Sequence, residues 1–381
     1  MATMGRARHI GPLLPAVLPA VLAAVLLLAG CSEDPQNAPD PNTRTADPDT
    51  EPDTEPNDSG SGSGPIEAKD VVTGLTSPWG LVVFEDGTAL VSERDTKQIK
   101  LVDTSGTAKV VGEIPEADPK GESGLLGLAA SPDEETVFAY YTSAGDNRIV
   151  AMSWDGSDLG EPRVIFDGIP TGSGTYHQGG RLAIGPDGYL YVSTGETGEV
   201  ELAQDRDSLA GKILRLTLEG APAPDNPFGT AVYSLGHRNV QGLAFDDDGR
   251  LWASEFGSDL WDELNLIEAG SNYGWPEVEG TGSDPDFVNP KAVWRPEDAS
   301  PSGLAFWDGS LWMAALRGQR LWEIPVDGTT VEAPVSHLTD YGRLRTVVTT
   351  PDGSALLLAT SNTDGRGAPA DDDDRLLRLT R

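Results

Sequence analysis

The sequence predicts an all-β protein, a six-bladed β-propeller of four-stranded blades that covers residues 66–381. Three observations support this prediction: an excess of turn-forming residues, a hairpin signal that occurs six times, and a spare strand ahead of the first hairpin. Gly and Pro supply 45 and 29 of the 381 residues, well above the usual share of about one in eight, which indicates many turns and few long helices. With 38% hydrophobic residues and nine Trp, the chain can also build a substantial core.

The hairpin signal is an alternating apolar segment, most often opened by Gly-Leu, that runs into an Asp-Gly or similar turn and a second apolar segment. Asp-Gly between two such segments is a strong hairpin signal, because Gly tolerates the positive φ of the turn. The turn aspartates are on average about 53 residues apart, a period typical of propeller blades. The six copies begin at Gly80, Gly127, Arg181, Gly242, Gly303 and Thr346, with turn aspartates Asp86, Asp133, Asp187, Asp248, Asp308 and Asp352.

A third strand follows each hairpin, and a fourth strand follows it in five of the six repeats. The third strands begin at Gln98, Arg148, Lys212, Glu263, Arg320 and Arg375. The sixth repeat has no fourth strand, whereas the segment Glu67–Val72 resembles one. We therefore expect Glu67–Val72 to pair with Arg375–Leu379 and to close a ring that leaves only short, protected sheet edges. Two stacked β-sandwiches are the alternative, although a sandwich does not require so even a period.

The N-terminal segment has the pattern of a bacterial lipoprotein. Two arginines precede an apolar run that ends in Leu28-Ala-Gly-Cys31, which predicts a signal peptide over residues 1–30 and a lipid-modified Cys31. An uncleaved signal anchor is the alternative. Residues 31–65 are rich in Asp, Pro, Thr, Ser and Gly and predict a disordered acidic linker. The mature protein is then expected outside the cytoplasm, anchored to the outer face of the membrane by its lipid alone.

The net charge of −34 disfavours nucleic acids and anionic lipids as partners, because an acidic surface repels phosphate groups. Most of this acidity belongs to the predicted propeller and is typical of a solvated surface. An anionic ligand therefore requires a local cluster of arginines. The single cysteine excludes an internal disulfide.

Such a cluster is predicted at one mouth of the central channel. The first strand of each blade lines this channel, so the residues that precede the first strands surround one mouth. About ten residues before the turn aspartates, the sequence has Glu122, His177, Arg238, Arg343 and Arg345. Three arginines at one mouth favour a ligand that carries several carboxylates or phosphates. A hydrogen-bonded structural role is the alternative for His177 and Glu122, and we assign the neighbouring His237 to packing.

Four segments resemble the glucose/sorbosone dehydrogenase family, which includes soluble, pyrroloquinoline quinone (PQQ)-dependent aldose dehydrogenases. The segments are His177-Gln-Gly-Gly-Arg-Leu-Ala-Ile-Gly-Pro-Asp-Gly, Gly236-His-Arg-Asn-Val-Gln-Gly-Leu, Asp262-Glu-Leu-Asn-Leu-Ile and Asn272-Tyr-Gly-Trp-Pro. They occur in the expected order, and the similarity extends from about residue 70 to the C-terminus. The fold of this family is a six-bladed propeller, in agreement with the repeats.

The resemblance implies an enzyme that oxidises an aldose at its anomeric carbon to a lactone, with PQQ as cofactor and a calcium ion that polarises the quinone. It implies that His177 is the base that takes the proton from the anomeric hydroxyl. Backbone carbonyls of Gly257 and Ser258 match the calcium site, a role that requires oxygen atoms rather than a particular side chain. Cofactor-binding residues are expected to be Arg238, Asn239, Arg317, Arg343 and Arg345, together with Glu122 from its place at the mouth.

Two departures from the family pattern bear on the mechanism. Tyr176 stands where well-known members have Asp before the catalytic His, so the carboxylate that orients the imidazole is either missing or comes from elsewhere. Phe256 in the calcium loop can change the stacking over the cofactor.

Two other functions are compatible with such a propeller: binding of a sugar at the cell surface without catalysis, and hydrolysis of lactones by a metal ion. The Arg-rich mouth, with Glu122 as its clear acid, disfavours the lactonase. The dehydrogenase requires a sugar substrate and an electron acceptor that the sequence does not identify. Homodimer formation is left open.

Overall fold

The computed structural model describes residues 64–172 and 175–381, which form six antiparallel sheets around a common axis. The first strands of neighbouring sheets pack against each other in order, and the sixth packs against the first, so the ring is closed. This confirms the predicted six-bladed β-propeller. The chain divides into two units, Met1–Gly60 and Ser61–Arg381, and all described residues belong to the second. The predicted signal peptide, Cys31 and almost all of the linker lie outside the described residues.

Each blade contains four strand positions, and the strands are numbered in chain order. The chain begins with β1 (Glu67–Val72), which belongs to blade six. Blade one contains β2 (Pro78–Val83), β3 (Ala89–Glu93), β4 (Gln98–Val102) and β5 (Ala108–Glu113). Blade two contains β6 (Leu125–Ala130), β7 (Thr136–Thr142), β8 (Asn147–Ser153) and β9 (Arg163–Ile169). Blade three contains β10 (Leu182–Ile184), β11 (Leu190–Ser193), β12 (Lys212–Leu216) and β13 (Val232–Leu235), with a 3₁₀ turn at Val200–Ala203.

The remaining blades follow the same order. Blade four contains β14 (Val240–Phe245), β15 (Leu251–Glu255), β16 (Asp262–Ile267) and β17 (Ala292–Trp294). Blade five contains β18 (Pro301–Trp307), β19 (Ser310–Ala315), β20 (Arg320–Asp327), β21 (Thr330–Val331) and β22 (Val335–His337). Blade six contains β23 (Leu344–Thr349), β24 (Leu356–Thr360) and β25 (Leu376–Thr380). Blade five differs from the prediction, because its fourth position is divided into β21 and β22, which both pair with β20.

The N-terminal strand closes the ring as predicted. β1 pairs antiparallel with β25, with Glu67 opposite Thr380 and Val72 opposite Leu376. Val71 and Val72 also pack against the apolar cluster that blades six and one share. β1 therefore ties the start of the propeller to its end and covers the sheet edge that β25 would otherwise expose.

The recurring glycine of the hairpin signal lies where the first strands of neighbouring blades touch. A Cβ atom on Gly127 would lie 2.1 Å from the carbonyl oxygen of Gly180, and one on Gly242 would lie 2.3 Å from that of Ser302. Backbone atoms of the next blade crowd two further glycines in the same way, Gly80 and Gly303. These four blades require Gly here, because a side chain at any of the four positions would collide with the next blade.

The first strands all start at one mouth of the channel and run to the hairpin turns at the opposite face. The second strands then return, because each pairs antiparallel with the first, as Leu344 pairs with Thr360 and Thr349 with Leu356 in blade six. The residues just before a first strand and just after a second strand therefore meet at the same mouth. This geometry determines which segments of the chain can contribute to a site there.

Removal of β1 tests the closure of the ring. A chain that begins at Thr73 is expected to melt at least about 5 °C below one that begins at Gly64, because the edge of β25 and the cluster under it become exposed. Thermal unfolding of both proteins, followed by circular dichroism, measures the difference. Equal melting temperatures would mean that the pairing of β1 with β25 contributes nothing to stability.

Candidate active site

A cationic pocket occupies the mouth at which the first strands begin. Its wall includes Glu122 and the ring of Trp79. Five arginines line it: Arg94, Arg317, Arg343, Arg345 and Arg366. Four predicted residues, Glu122, Arg317, Arg343 and Arg345, are thus brought together. The pocket is positive in a protein whose net charge is −34.

The positive charge in this pocket is only partly neutralised. Arg343 and Arg345 share one carboxylate, since Nη2 of each lies near Oδ2 of Asp364, at 3.0 and 3.3 Å. Burial opposes ionisation of Asp364, but the two arginines outweigh it and lower its pKa. Burial lowers the pKa of Arg345 to about 9, and the charges of Arg94 and Arg343 contribute to this shift. Arg317 is exposed and has neither a hydrogen bond nor an ion pair within the described residues.

His177 stands beside this pocket in a constrained loop. Its backbone has a φ of +54°, a left-handed conformation that is uncommon for a residue other than Gly. The N–H of His177 donates to Oε2 of Glu122 at 2.9 Å, and Nη1 of Arg366 donates to the other oxygen at 2.9 Å. Burial would raise the pKa of Glu122, but these two contacts lower it. Glu122 therefore fixes the loop that carries His177, in addition to lining the pocket.

The carboxylate that orients the imidazole comes from Glu196. The Nδ1 atom of His177 contacts Oε1 of Glu196, whose side chain is 1% exposed. The second oxygen of Glu196 accepts the N–H of Gly198 at 2.8 Å, so the carboxylate is held from both sides. Tyr176, at the position where Asp was expected, lies edge-on to the imidazole with a ring separation of 4.6 Å. Glu196 thus takes the role that the sequence left unassigned.

Asn239 holds the His177 loop through a hydrogen bond to its backbone. Its Oδ1 accepts the N–H of Gly179 at 3.0 Å, and the hydroxyl of Tyr140 donates to the carbonyl of Gln178 at 2.9 Å. Asn239 is 1% exposed, and its side-chain nitrogen, Nδ2, donates no hydrogen bond within residues 64–172 and 175–381. Its structural role in this loop was not anticipated from the resemblance.

Arg238 lies in a small neighbouring pocket that shares Phe256 with the cationic pocket. Its guanidinium is 5.4 Å from the ring of Trp275, and burial lowers its pKa despite nearby carboxylates. The adjacent His237 is fully buried and bonded to Ser234 and Glu255, at 2.8 and 2.9 Å. His237 belongs to the packed interior, in agreement with the prediction.

The Gly257–Ser258 loop offers oxygen atoms that suit calcium. Among the described residues, no group donates a hydrogen bond to the carbonyl oxygens of Gly257 and Ser258. The loop is shaped by Glu279, whose Oε1 accepts four consecutive N–H groups, from Ser258 to Trp261. Nearby, Asp262 is buried, and this burial together with the charge of Glu279 raises its pKa to about 6. Free carbonyls next to a region of excess negative charge are a donor set that a hard cation prefers.

A metal site built from side chains is a different arrangement. Within the described part of the chain, no group of three or more His, Cys, Asp or Glu has a spacing that could hold a metal ion. The same residues contain no helix long and apolar enough to cross a membrane.

Three residues near the mouth follow second strands and were not predicted from the sequence. Glu196 follows β11, Arg94 follows β3 and Asp364 lies in the segment after β24. The signal that could have found them is their place after the second strand of a hairpin, since these strands return to the same mouth. The loops after the second strands vary in length, so no fixed offset from the turn marks these residues.

Comparisons with known proteins agree with this architecture. The sequence profile described as glucose/sorbosone dehydrogenase matches residues 75–378. The chain belongs to the glucose/sorbosone dehydrogenase family.

Solved and curated relatives support this assignment. The PQQ-bound aldose sugar dehydrogenase of Streptomyces coelicolor is 54% identical, with a TM-score of 0.80 over 83% of this chain and 98% of that one. The aldose sugar dehydrogenase of Escherichia coli is 30% identical over 74% of this chain and 87% of that protein. The quinoprotein glucose dehydrogenase B of Acinetobacter calcoaceticus is 34% identical over 58% of this chain and 55% of that protein.

The close approach of Gly195 to the His177 loop provides a test of how firmly the site is positioned. A Cβ atom on Gly195 would lie 1.9 Å from the carbonyl oxygen of His177, so the Gly195→Ala variant must displace this loop. We expect a loss of about 1–3 kcal/mol in the free energy of unfolding, as for other overpacked sites. We also expect the His177 imidazole resonance to shift, because its contact with Glu196 is disturbed.

Gly145→Ala is the matched control, because a Cβ atom there meets nothing within 4 Å. Chemical denaturation and NMR of the imidazole protons measure both effects. An unchanged His177 resonance in the Gly195→Ala variant would show that the loop is not held as the structure describes.

Proposed function

We propose that the protein is a PQQ-dependent oxidoreductase that oxidises an aldose at its anomeric carbon to a lactone, with a bound calcium ion. The observation that carries this proposal is the position of the His177–Glu196 pair next to an arginine-rich pocket in one mouth of the propeller. Relatives named as aldose sugar dehydrogenases and as a quinoprotein glucose dehydrogenase support it. The proposal combines a base, a site for an anionic cofactor and a site for a hard cation.

The charged residues of the pocket suit PQQ. PQQ is planar and carries three carboxylates, and arginine binds carboxylates through two parallel hydrogen bonds. Arg317 has no partner in the described structure, and Arg343 and Arg345 share a single Asp364. When bound, PQQ would supply a quinone that accepts a hydride, one proton with two electrons, from the anomeric carbon of the sugar. The free carbonyls of Gly257 and Ser258 would hold the calcium ion.

His177 is the residue that takes the proton. A carboxylate at Nδ1 favours the tautomer with the proton on that nitrogen, which leaves the lone pair of Nε2 available. Because Glu122 and Glu196 fix the loop and the ring, His177 is oriented before the substrate arrives. It would accept the proton of the anomeric hydroxyl as the anomeric carbon is oxidised. A positioned base of this kind accelerates a reaction by a factor of about 10²–10⁴.

One assay separates this function from the two alternatives. Protein supplied with PQQ and calcium should reduce an artificial electron acceptor in the presence of an aldose, and removal of calcium by a chelator should abolish the activity. A protein that only binds sugars would bind no PQQ, and a lactonase would hydrolyse lactones without PQQ.

The natural electron acceptor is expected to be a separate redox partner. The mass of the protein in solution tests whether it forms a homodimer.

We further propose that a lipid on Cys31 anchors the protein outside the cytoplasmic membrane. The apolar run, the small residues before the only cysteine and the acidic segment that follows support this proposal. Mass spectrometry of the mature protein from membranes would detect the lipid. A mature chain that starts elsewhere would contradict it.

Replacement of the proposed base separates binding from chemistry. His177→Gln is expected to keep its affinity for PQQ, because arginines and calcium hold the cofactor, whereas turnover falls by about 10²–10⁴. Steady-state kinetics, PQQ titration and melting temperature should all be measured on this variant.

The control for this experiment is His337→Gln, since His337 pairs with Glu323 at 2.9 Å on the outer part of blade five. The His337→Gln variant should keep the turnover number of the wild-type protein. If His177→Gln also turned over normally per folded molecule, His177 would have no part in the reaction.

Removal of the unpartnered arginine tests the placement of the cofactor. Arg317→Ala is expected to weaken PQQ binding by about 1.5–3 kcal/mol, the range for a hydrogen bond to a charged group. Arg163→Ala removes the same charge from the exposed outer strand of blade two and should leave binding unchanged. Calorimetric titration compares the two variants. Equal affinities would place the cofactor away from Arg317.

A further inference from the structure

Arg181 occupies the centre of the propeller, at a position where four other blades have Gly. The six hairpin signals begin at equivalent positions, and only blades three and six depart from Gly, with Arg181 and Thr346. These two blades face each other across the ring. Nη1 of Arg181 donates to Oγ1 of Thr346 at 3.0 Å, so the side chain spans the channel. The space left by the glycines is thus used by one long cationic side chain.

The surroundings of Arg181 fix the guanidinium but do not neutralise it. Nε donates to the carbonyl of Gln241 at 2.7 Å, and the group lies over Trp79 with 4.3 Å between its carbon and the ring centre. No carboxylate pairs with Arg181 among the described residues, and it is 6% exposed. Its third nitrogen, Nη2, is buried without a hydrogen-bond partner. Because the guanidinium is planar, Nη2 cannot turn elsewhere without breaking the two other bonds.

Arg345 presents a second unpaired donor to the same region. Its Nη1 donates to Oε1 of Gln241 at 3.0 Å, and its Nη2 reaches the Asp364 carboxylate that Arg343 also uses. The remaining nitrogen, Nε, is buried without a partner. The Arg345 guanidinium also lies near the ring of Trp79, at 5.9 Å. Gln241 and Trp79 therefore bring the two cations together.

The balance of charge in this region indicates a missing anion. Burial and the like charge of Arg345 lower the pKa of Arg181 to about 9, so both groups stay charged at neutral pH. Arg181, Arg343 and Arg345 are accompanied by one carboxylate, Asp364. A water molecule could accept a hydrogen bond from one donor but would not offset the charge, and buried charges are normally paired.

We propose that Arg181 and Arg345, next to the ring of Trp79, form a subsite for one small monovalent anion below the cationic pocket. Its chemistry is that of a halide or of a single carboxylate group, which accepts hydrogen bonds from Nη2 of Arg181 and Nε of Arg345. The anion comes from one of two sources, free chloride or a carboxylate of PQQ. The subsite is built from residues of the propeller, and only the PQQ source rests on the proposed function.

The first experiment uses the protein without PQQ. Melting temperatures are measured while chloride replaces methanesulfonate at constant ionic strength. The melting temperature of the wild-type protein should rise by about 3 °C or more between low and high chloride, because a ligand that binds only the folded state stabilises that state. Arg181→Met should lose this response. Arg215→Met is the control, since Arg215 also stacks on an aromatic ring, 4.1 Å from Tyr189, but pairs with Asp187.

A crystal of the wild-type protein grown with bromide gives a second readout that does not require the variant to fold. Anomalous scattering should place one bromide between Arg181 and Arg345. The absence of a peak there, together with equal chloride responses of the wild-type and control proteins and of Arg181→Met, would overturn the proposal.

PQQ titrations at low and high chloride then identify the source. If chloride weakens the binding of PQQ, a cofactor carboxylate occupies the subsite. If the affinity for PQQ does not change with chloride, a separate halide occupies it. Failure of the wild-type protein to bind PQQ at all would contradict the proposed function and leave the chloride and bromide results intact.

Discussion

Crowding around the axis is the constraint on which this structure depends. Six first strands meet at one centre, and their backbones approach so closely that a Cβ atom at Gly127 or Gly242 would collide with the next blade. The blades can pack only if this position stays small nearly everywhere. Glycine at the centre lets the first strands approach closely, and the antiparallel second strands return to the same mouth, so residues before the first strands and after the second strands lie near each other there. The cationic mouth is a product of this packing.

The mouth concentrates positive charge against the charge of the whole protein. Its arginines are held by few carboxylates, with Asp364 serving both Arg343 and Arg345. The acidic groups of the mouth, Glu122 and Glu196, are engaged by the His177 loop. One part of the rim therefore retains a cationic surface that is only partly neutralised, and another part is a histidine–carboxylate pair. In the proposed function, cofactor binding and proton transfer would fall to different blades of the same ring.

The sequence was sufficient for the fold because each blade repeats the same physical signals. Asp-Gly turns between alternating segments mark the hairpins, and the unmatched strand Glu67–Val72 predicts the closure. Counting back from the turns also located His177 and Arg345 at the mouth. Glu196 was missed because the loops after the second strands are irregular, so no periodic position identifies it. Arg181 was visible as an exception in a row of glycines, but only the structure shows that its side chain crosses the axis.

The direction of β1 has a consequence for how the protein is presented to its surroundings. Glu67 pairs with Thr380 and Val72 with Leu376, and the antiparallel order of blade six puts Glu67 at the face of the hairpin turns. The chain thus enters the propeller on the side opposite the cationic mouth. If the proposed lipid on Cys31 anchors the protein, the anchored chain enters the propeller at the face of the hairpin turns. Ligands would then reach the cationic mouth from solution without passing between the protein and the membrane.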